Sequence, residues 1–407
     1  MERDLSRNPA LLKLELYCKG MRIDDSCKRL DDDGRPILRT RAGLGSGLEL
    51  VLPHGLWTNV PVLEKFAHTS PFALVHRDGE YLIERDGKPV SSVQIPPEPA
   101  FYRRLTSSGR LMSRVGVLQG TYLGIYPTGI CAHWLREPRV NCTFCSVGLN
   151  LGNQEEQEKS IQEVVETTLA AMEEVGITYV HFNTGYYDGD TYLDELEPFI
   201  KAVKRETGLL IGVQTPPHPD LKRYDRLRRM GVNQVSFCFE LWDRDCFVKQ
   251  CPGKAEKVGI ERYLDAIAYC APIFDTTNGE IIAGLEPVAT TLEAVEWITD
   301  VGAIPTVCVF RPLRGTDLED HPPPDSEELI PVFKRLYESC MEKKLPLGIA
   351  PNINVSIILK PEECRWFSDD PGRFWKQDLK ALLMRQALKG LLGVQQRRAW
   401  LYRRIGI

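Results

Sequence analysis

The sequence predicts an α/β protein in which helices cover a parallel sheet. Between residues 116 and 350, six short apolar segments alternate with six segments of helical character. This alternation is typical of βα units, and the crossovers between parallel strands are right-handed. The sheet that such units form either stays open or curls toward a barrel.

Residues 1–115 are predicted to form a small β-rich N-terminal domain. Pro9–Lys19 has the composition of a short helix, and Gly47–Leu52 and Phe72–Val75 have that of strands. Two Asp-Gly turn signals follow, spaced as in a β-meander. We find no catalytic motif here, so the region is expected to support the site, to cover it or to bind substrate.

Six predicted strand–helix pairs make up the central region, 116–350. In chain order they are Tyr122–Tyr126 and Ser160–Val175, Thr178–Asn183 and Tyr192–Glu206, Leu209–Gln214 and Asp220–Met230, Gln234–Glu240 and Gly259–Cys270, Gly279–Gly284 and Leu292–Val301, and Pro305–Arg311 and Ser326–Lys343. Ser160 and Glu163 predict a capping box at the first helix. Ligands are expected at the carboxyl ends of the strands, where α/β proteins bind them.

Residues 351–407 are predicted to form a C-terminal extension that is mostly helical. Asn352–Leu359 has the composition of one more strand. Trp375–Arg404 has that of a helix and is rich in lysine and arginine. Such a basic run is most simply a solvated helical face.

Composition excludes several classes of function. The 407 residues suffice for a full core and more than one domain. A net charge of −5 gives no reason to expect nucleic-acid binding. No apolar stretch is long enough to predict a transmembrane helix, and no signal peptide is predicted. Twelve cysteines without a secretion signal favour a reducing compartment, the cytoplasm, and metal or catalytic roles over disulfides.

One loop carries three cysteines at the carboxyl end of the first predicted strand: Cys131, Cys142 and Cys145. Thiolates are soft ligands that suit iron–sulfur clusters or zinc. A four-iron cluster held by three cysteines leaves one iron free to chelate a small molecule. Two alternatives stay open, namely buried free thiols and a zinc site that adds His133 to the three cysteines.

This loop resembles the cysteine loop of the radical S-adenosylmethionine (SAM) superfamily. The family's loop ends in Cys-x-aromatic-Cys, which is Cys142-Thr-Phe144-Cys145 here, although the gap before Cys142 is longer than usual. The resemblance implies a [4Fe-4S] cluster on Cys131, Cys142 and Cys145, with SAM bound at its open iron and Phe144 near the adenine. It also implies that the six units form a partial (β/α)6 barrel.

Residues at later strand ends resemble the biotin-synthase-like branch of that superfamily. The resemblance assigns Thr184 and Gly185 to the methionine amine of SAM, and Glu240 to both ribose hydroxyls. It assigns Arg262 to the SAM carboxylate, which a guanidinium can bind bidentately. Without the resemblance, Glu240 would be an exposed strand-end acid and Arg262 an arginine on a helix surface.

Two further segments extend this resemblance to roughly 116–345. Gly284-Leu285 follows the fifth strand, and Pro312-Leu-Arg314-Gly315-Thr follows the sixth. In the family, such segments bracket the adenine, which implies that role for Arg314 and Gly315.

The remaining cysteines carry no firm assignment. Cys238 and Cys308 lie on predicted strands and are interpreted as small apolar core residues. An auxiliary cluster that involves some of the others stays open, and the candidates are Cys246, Cys251, Cys270 and Cys364.

The resemblance implies a radical reaction on a small-molecule metabolite or cofactor precursor. SAM would be cleaved reductively to a 5′-deoxyadenosyl radical, with an electron donor such as flavodoxin or ferredoxin, and the radical would abstract hydrogen from substrate. The catalytic residues beyond this step are not predicted. Candidates for substrate contact are Tyr186, Tyr187, Gln214, His218, Glu280, Arg311 and Asn352. The alternative from another class is a zinc-stabilised α/β binding protein without redox chemistry.

Overall fold

The computed structural model describes residues 4–30, 38–39 and 46–405. The N-terminal elements form a mixed sheet of order β1-β5-β6-β7 and an antiparallel sheet of order β2-β3-β4. They are α1 (Pro9–Lys19), β1 (Arg22–Ile23), β2 (Leu38–Arg39), β3 (Ser46–Leu52), β4 (Leu56–Val60), β5 (Phe72–Arg77), β6 (Glu80–Arg85) and β7 (Lys88–Val93). The predicted helix and meander are therefore confirmed.

The central region contains one curled sheet of seven strands, in the order β14-β13-β12-β11-β10-β9-β8. Its elements are β8 (Val117–Leu118), β9 (Leu123–Ile125), α2 (Ala132–Leu135), α3 (Val147–Asn150), α4 (Ile161–Val175), β10 (Tyr179–Asn183), α5 (Tyr192–Thr207), β11 (Leu210–Gln214), α6 (Lys222–Arg229), β12 (Gln234–Glu240), α7 (Arg244–Gln250), α8 (Pro252–Lys257), α9 (Ile260–Cys270), β13 (Thr276–Ala283), α10 (Val288–Asp300), β14 (Ile304–Val309) and α11 (Ser326–Glu342). Strands β9 to β14 are parallel, and β8 pairs antiparallel with β9. The predicted partial (β/α)6 barrel is confirmed.

The first long helix of the barrel, α4, begins at the predicted capping box. The hydroxyl of Ser160 accepts from the amide of Glu163 at 3.2 Å, and the Glu163 carboxylate accepts from the amide of Ser160 at 2.7 Å. The helix ends at Gly176, whose φ of 68° is the left-handed conformation that glycine adopts most easily. Both ends of α4 are therefore fixed by local sequence.

The N-terminal region packs against the segment that follows α11. The hydroxyl of Tyr17 and the backbone amide of Asn59 both donate to the carbonyl of Ser356, at 2.6 and 2.7 Å. The ammonium of Lys13 pairs with the carboxylate of Glu363 at 2.8 Å, and both side chains are buried. The N-terminal region therefore holds the 346–358 segment in place.

The strand predicted at Asn352–Leu359 is wrong, because this segment consists of turns and irregular backbone. Its polar groups bond to loops and strand edges instead, as Asn354 does when its carbonyl accepts from the amide of Thr121 at 3.0 Å. The division of the chain at residues 115 and 350 stays a prediction, and residues 31–37 and 40–45 of its first part lie outside the described residues.

The C-terminal helix is confirmed as α12 (Trp375–Ile405). Two of its side chains, Leu392 and Ala399, are buried. The side chain of Arg385, also in α12, donates to the carbonyl of Gly348 at 2.6 Å. Within the described parts of the chain, no helix combines the length and hydropathy needed to span a membrane.

Candidate active site

A cavity of about 980 Å³ runs through the barrel. The cysteine loop, which follows the carboxyl end of β9, lines one end of it. Leu388 and Leu391 of α12 line the other end. That end is the amino-terminal one, because Gly208, just before β11, packs against the backbone of Gln395 in α12. The size lies within the range of small-molecule sites, roughly 300–1,000 Å³.

The three predicted metal ligands all line this cavity. Cys131 directly precedes α2, and Cys142 and Cys145 lie in the turn before α3. The sulfur of Cys145 accepts from the amide of Val147 at 3.5 Å. Phe144, between the last two cysteines, is buried and also lines the cavity. The loop therefore presents its thiols and its aromatic ring to one space.

Close approach to glycine positions the first cysteine. A Cβ atom on Gly185 would lie 2.4 Å from the Cβ of Cys131 and 2.7 Å from the hydroxyl of Tyr126. Gly185 follows β10, so the loops after β9 and β10 touch at this point. Only glycine permits that contact without displacement of the cysteine loop.

The three thiols lie in different electrostatic environments. Burial raises the pKa of Cys131, and it raises that of Cys145 to about 12. The pKa of Cys142 is lowered because the thiol of Cys251 donates to its sulfur and the ammonium of Lys254 lies nearby. Of the three thiols, Cys142 therefore ionises most readily to the thiolate that metal binding requires.

Lys254 contacts Glu240, the residue that the sequence assigned to the ribose hydroxyls. Its ammonium lies 2.5 Å from the carboxylate of Glu240 and donates to the carbonyl of Cys238 at 2.7 Å. It also lies 5.6 Å from the centre of the Tyr263 ring. Glu240 has a φ of 72°, next to an irregularity in the β12–β13 pairing. The strand end is strained to turn this carboxylate toward the lysine.

A buried lysine fixes the strand that carries the loop. Lys159 donates to the carbonyl of Tyr126 at 2.6 Å and pairs with the carboxylate of Glu155 at 3.2 Å. All three residues are buried. These two contacts therefore fix the chain just after β9.

His133, the fourth ligand in the zinc alternative, is buried, and neither of its ring nitrogens has a hydrogen-bond partner in the described residues. Among them, no three His, Cys, Asp or Glu side chains converge as ligands of one metal ion must. His133 stacks on Tyr186 at 4.8 Å, and burial lowers its pKa to about 4. The cysteines of a cluster each bind a different iron, so they need not converge on one point. Three cysteine thiols at one end of the cavity are chemically suited to such a cluster.

Polar side chains form a layer across the barrel interior at its amino-terminal half. The hydroxyl of Tyr179 donates to the amide oxygen of Gln234 at 2.6 Å, and Gln234 donates to Asn278 at 2.8 Å. Asn278 in turn donates to the hydroxyl of Thr306 at 3.0 Å. The chain of bonds crosses four strands and satisfies each group in turn.

A second polar layer lies nearer the cysteine loop and centres on Glu280. Its carboxyl group accepts from the amide of Gln214 and the thiol of Cys238, both at 2.9 Å, and from the hydroxyl of Ser236. Burial raises the pKa of Glu280. Cys308 belongs to the buried apolar core, as predicted, and also lines the cavity. Cys238 is only half-buried and lines the cavity, so its assignment to the apolar core needs correction. Strand alternation turns both cysteines inward beside the acid.

Other sequence-predicted residues divide between the cavity and its surroundings. Thr184 and Gly185 line the cavity with Tyr186, Gln214 and Glu280. The described residues that line it do not include Arg262, Arg314, Gly315, Tyr187, His218, Arg311 or Asn352.

Local contacts account for several of the residues outside the cavity. Arg311 is buried with its guanidinium 4.4 Å from the centre of the Tyr17 ring. Asn352 donates to the carbonyl of Gly176 at 2.9 Å. Gly315, with a φ of 83°, donates its amide to Glu319 at 2.8 Å. The assignments of Arg262, Arg314 and Gly315 to SAM stay predictions.

The structure adds two residues that the sequence did not single out for this end of the barrel. Lys254 and Cys251 lie beside Cys142, on the loop and helix that follow α7. Both residues belong to the segment Cys251-Pro-Gly-Lys254, and its glycine is the only hint in the sequence. A Cβ on Gly253 would lie 2.5 Å from Nδ1 of His133. That close approach brings α8 against the cysteine loop.

Comparison with known proteins gives a partial likeness. No family model matches the chain. Bacteriochlorophyllide c C-7(1)-hydroxylase of Chlorobaculum limnaeum is 31% identical over 125 residues, which cover 30% of this chain and 31% of that protein. The match thus spans less than a third of the relative.

Solved structures with a similar fold include several enzymes. Methylornithine synthase has a TM-score of 0.42 at 19% identity, and the likeness covers 54% of this chain and 62% of that one. A radical SAM methyltransferase from Sphaerobacter thermophilus has a TM-score of 0.40 at 15% identity, over 68% and 76%. Coproporphyrinogen III oxidase from Escherichia coli, a radical SAM enzyme, has a TM-score of 0.34 at 13% identity, and the likeness covers 43% of this chain and 42% of that one. The chain resembles radical SAM enzymes.

Proposed function

We propose that the protein is a radical SAM enzyme that modifies a small-molecule metabolite or cofactor precursor inside its barrel. The observation that carries the proposal is the position of three cysteines and Phe144 at one end of a single cavity. In this proposal Cys131, Cys142 and Cys145 hold a [4Fe-4S] cluster, and SAM binds between the cluster and the strand ends.

The chain supplies thiols, charge and shape for these groups. Cys142 has a lowered pKa, which favours the thiolate that a cluster needs. Lys254 places a positive charge beside the thiolates, and Gly185 leaves room for Cys131. When bound, the reduced cluster and SAM together supply a 5′-deoxyadenosyl radical that abstracts a hydrogen atom from carbon.

The polar groups of the barrel position the substrate. The Glu280 layer lies between the cysteine loop and the Tyr179–Thr306 layer, so it is the first polar surface that a substrate beside SAM would meet. A carboxyl group with a raised pKa can donate a hydrogen bond as well as accept one. We assign Glu280 and Gln214 to substrate recognition. The walls around them exclude water, which protects a radical from side reactions.

A tetrapyrrole is the first substrate class to test. The hydroxylase that is 31% identical to this chain over 125 residues acts, by its name, on a bacteriochlorophyllide. The cavity of about 980 Å³ has many apolar side chains toward α12, among them Ile353, Leu388 and Leu391. A ligand with an apolar ring system and a few polar substituents could pack against these apolar side chains and also hydrogen-bond to the polar layers of the barrel. We place the reaction in the cytoplasm, with flavodoxin or ferredoxin as the electron donor.

The test is anaerobic reconstitution with iron and sulfide, followed by addition of dithionite and SAM. We expect about four irons per chain, as the proposed cluster requires, a brown colour and the formation of 5′-deoxyadenosine, measured by mass spectrometry. Cys142→Ala should lose all three properties. The matched control is Cys340→Ala, which removes another buried thiol, on α11, and should keep them.

Two results would overturn the proposal. The first is tight zinc binding with no uptake of iron. The second is a full cluster whose iron content and SAM cleavage are the same in Cys142→Ala as in the unchanged protein.

A further inference from the structure

Helix α12 is the most exposed apolar element of the described chain. It has 31 residues and is about 46 Å long at 1.5 Å per residue. Of sixteen exposed large apolar side chains among the described residues, ten belong to this helix. They are Trp375, Leu379, Leu382, Leu383, Met384, Leu391, Val394, Trp400, Leu401 and Tyr402.

One side of the helix is already covered. Leu392 and Ala399 are 3% and 5% exposed and face α5 and the amino-terminal end of the barrel. Arg385 anchors the same side to the carbonyl of Gly348 at 2.6 Å. The helix is therefore attached along its length, and its apolar outer side is not merely an unpacked end.

The outer face of α12 is the row formed by Trp375, Leu379, Leu383, Val394 and Leu401. Their spacing of four, four, eleven and seven residues puts them on one side of a helix. They are between 48% and 65% exposed. Contiguous exposed apolar rows on a folded protein mark interaction sites.

The charge of the helix selects the partner. It carries eight basic residues and one acid, Asp378, so its net charge is +7 in a chain whose net charge is −5. The basic residues are Lys376, Lys380, Arg385, Lys389, Arg397, Arg398, Arg403 and Arg404. Two such helices facing each other would repel, which disfavours a symmetric contact between copies of the chain. An anionic surface would be attracted.

We propose that the outer face of α12 docks on the surface of an anionic lipid bilayer. Leucine and tryptophan side chains would enter the boundary between headgroups and acyl chains, and lysine and arginine would extend their charges to the headgroups. Trp375 begins the helix, and Trp400 and Tyr402 lie near its end, where the amphipathic rings suit the interface. Leu388, on another side of α12, lines the cavity, so the membrane would lie close to the apolar end of the barrel.

The experiment is co-sedimentation of the full-length chain with vesicles. Vesicles of phosphatidylcholine with phosphatidylglycerol are compared with vesicles of phosphatidylcholine alone, at low and at high salt. We expect binding to the anionic vesicles only, and weaker binding at high salt because salt screens the attraction. No substrate is needed, so the result is independent of the proposed reaction.

Variants separate this proposal from a general charge effect. Lys376→Glu, Lys380→Glu, Lys389→Glu and Arg397→Glu together should weaken binding at least about a hundredfold, since each basic residue near the surface contributes about a fivefold factor. Leu383→Ser with Val394→Ser should weaken it as well. The matched control reverses four exposed charges elsewhere, at Lys88, Lys222, Arg229 and Lys249, and should bind like the unchanged protein.

Three outcomes would overturn the proposal: equal sedimentation with and without the anionic lipid, equal binding by both charge-reversal variants, or a stable dimer that Leu383→Ser with Val394→Ser converts to monomer. The dimer would show that this face contacts a second copy. Circular dichroism of each variant establishes that the chain has kept its fold.

Discussion

The ammonium of Lys254 lies 2.5 Å from the carboxylate of Glu240, and both side chains are mostly buried beside the cysteine loop. Glu240 ends a strand with a φ of 72°, and Lys254 belongs to the helix that packs against His133. The pair therefore joins the fourth barrel strand to the cysteine loop by way of α8. It also puts one positive charge beside the thiol of Cys142.

Removal of the lysine should destabilise the protein through this pair. Lys254→Met leaves a buried carboxylate without its partner, which typically costs about 3 kcal/mol in the free energy of unfolding. The double variant Lys254→Met with Glu240→Gln removes both charges and should recover most of the loss. Urea unfolding of the metal-free unchanged protein, of Lys254→Met and Glu240→Gln alone, and of the double variant measures the four free energies that are compared. If the two single losses simply add in the double variant, the pair is not coupled.

The pair shows where sequence reasoning stops. Periodicity and composition predicted the six βα units, and β12 has the predicted bounds, Gln234–Glu240. Glu240 was correctly placed at a strand end. Its partner was not predicted, because Lys254 reaches it only after α7 and α8 fold back across the strand. A contact of that kind depends on how helices pack in three dimensions, and the local sequence pattern does not predict this packing.

The failed strand at Asn352–Leu359 has a similar cause. Its apolar residues, such as Ile353, Val355 and Ile357, have the composition of a buried strand. In the fold they line the cavity, while the carbonyls of Asn354 and Ser356 accept from Thr121 and other groups of neighbouring loops. These apolar residues are half-buried against the cavity, but among the described residues no neighbouring strand pairs with this segment.

Gly185 should be intolerant of any side chain. In Gly185→Ala the new Cβ would lie 2.4 Å from Cβ of Cys131, so the loop must shift. We expect a loss of about 2 kcal/mol in stability and a clear loss of iron bound after reconstitution. Gly129→Ala is the matched control, because a Cβ there meets nothing within 4 Å. Iron content per chain and thermal unfolding measure the two effects, and equal iron in both variants would contradict the prediction.

Glu49 should make stability fall as pH rises. Burial raises its pKa to about 7 from the ordinary 4.5, although the hydroxyl of Ser356 and the amide of Gly120 donate to it. Between these two values the folded protein keeps a proton that the unfolded chain releases. The free energy of unfolding therefore decreases as pH rises from about 5 to about 8, by about 3 kcal/mol from this group.

Glu49→Gln tests this dependence. The amide keeps an oxygen to accept both hydrogen bonds and cannot ionise, so the variant should be the more stable protein at pH 8 and should show a flatter pH profile. Thermal unfolding at pH 5.5, 7 and 8.5 gives the comparison. Glu80→Gln, at an exposed position of β6, is the control that should leave the profile unchanged. A profile as steep in Glu49→Gln as in the unchanged protein would place the titrating group elsewhere.

The SAM contacts inferred from sequence can be tested apart from catalysis. Arg262 lies on α9, and Tyr263 beside it lines the cavity. If the guanidinium binds the carboxylate of SAM bidentately, Arg262→Ala should raise the dissociation constant at least about tenfold, since a charge-assisted pair contributes about 1.5–3 kcal/mol. Equilibrium dialysis of the reconstituted protein with labelled SAM measures this constant, and iron content should stay unchanged. Glu261→Ala, at the neighbouring exposed position whose carboxylate pairs with Arg244 at 2.8 Å, is the control. If Arg262→Ala binds SAM normally, the carboxylate must pair with another cation, and Lys254 is then the nearest candidate because it lies beside Cys142.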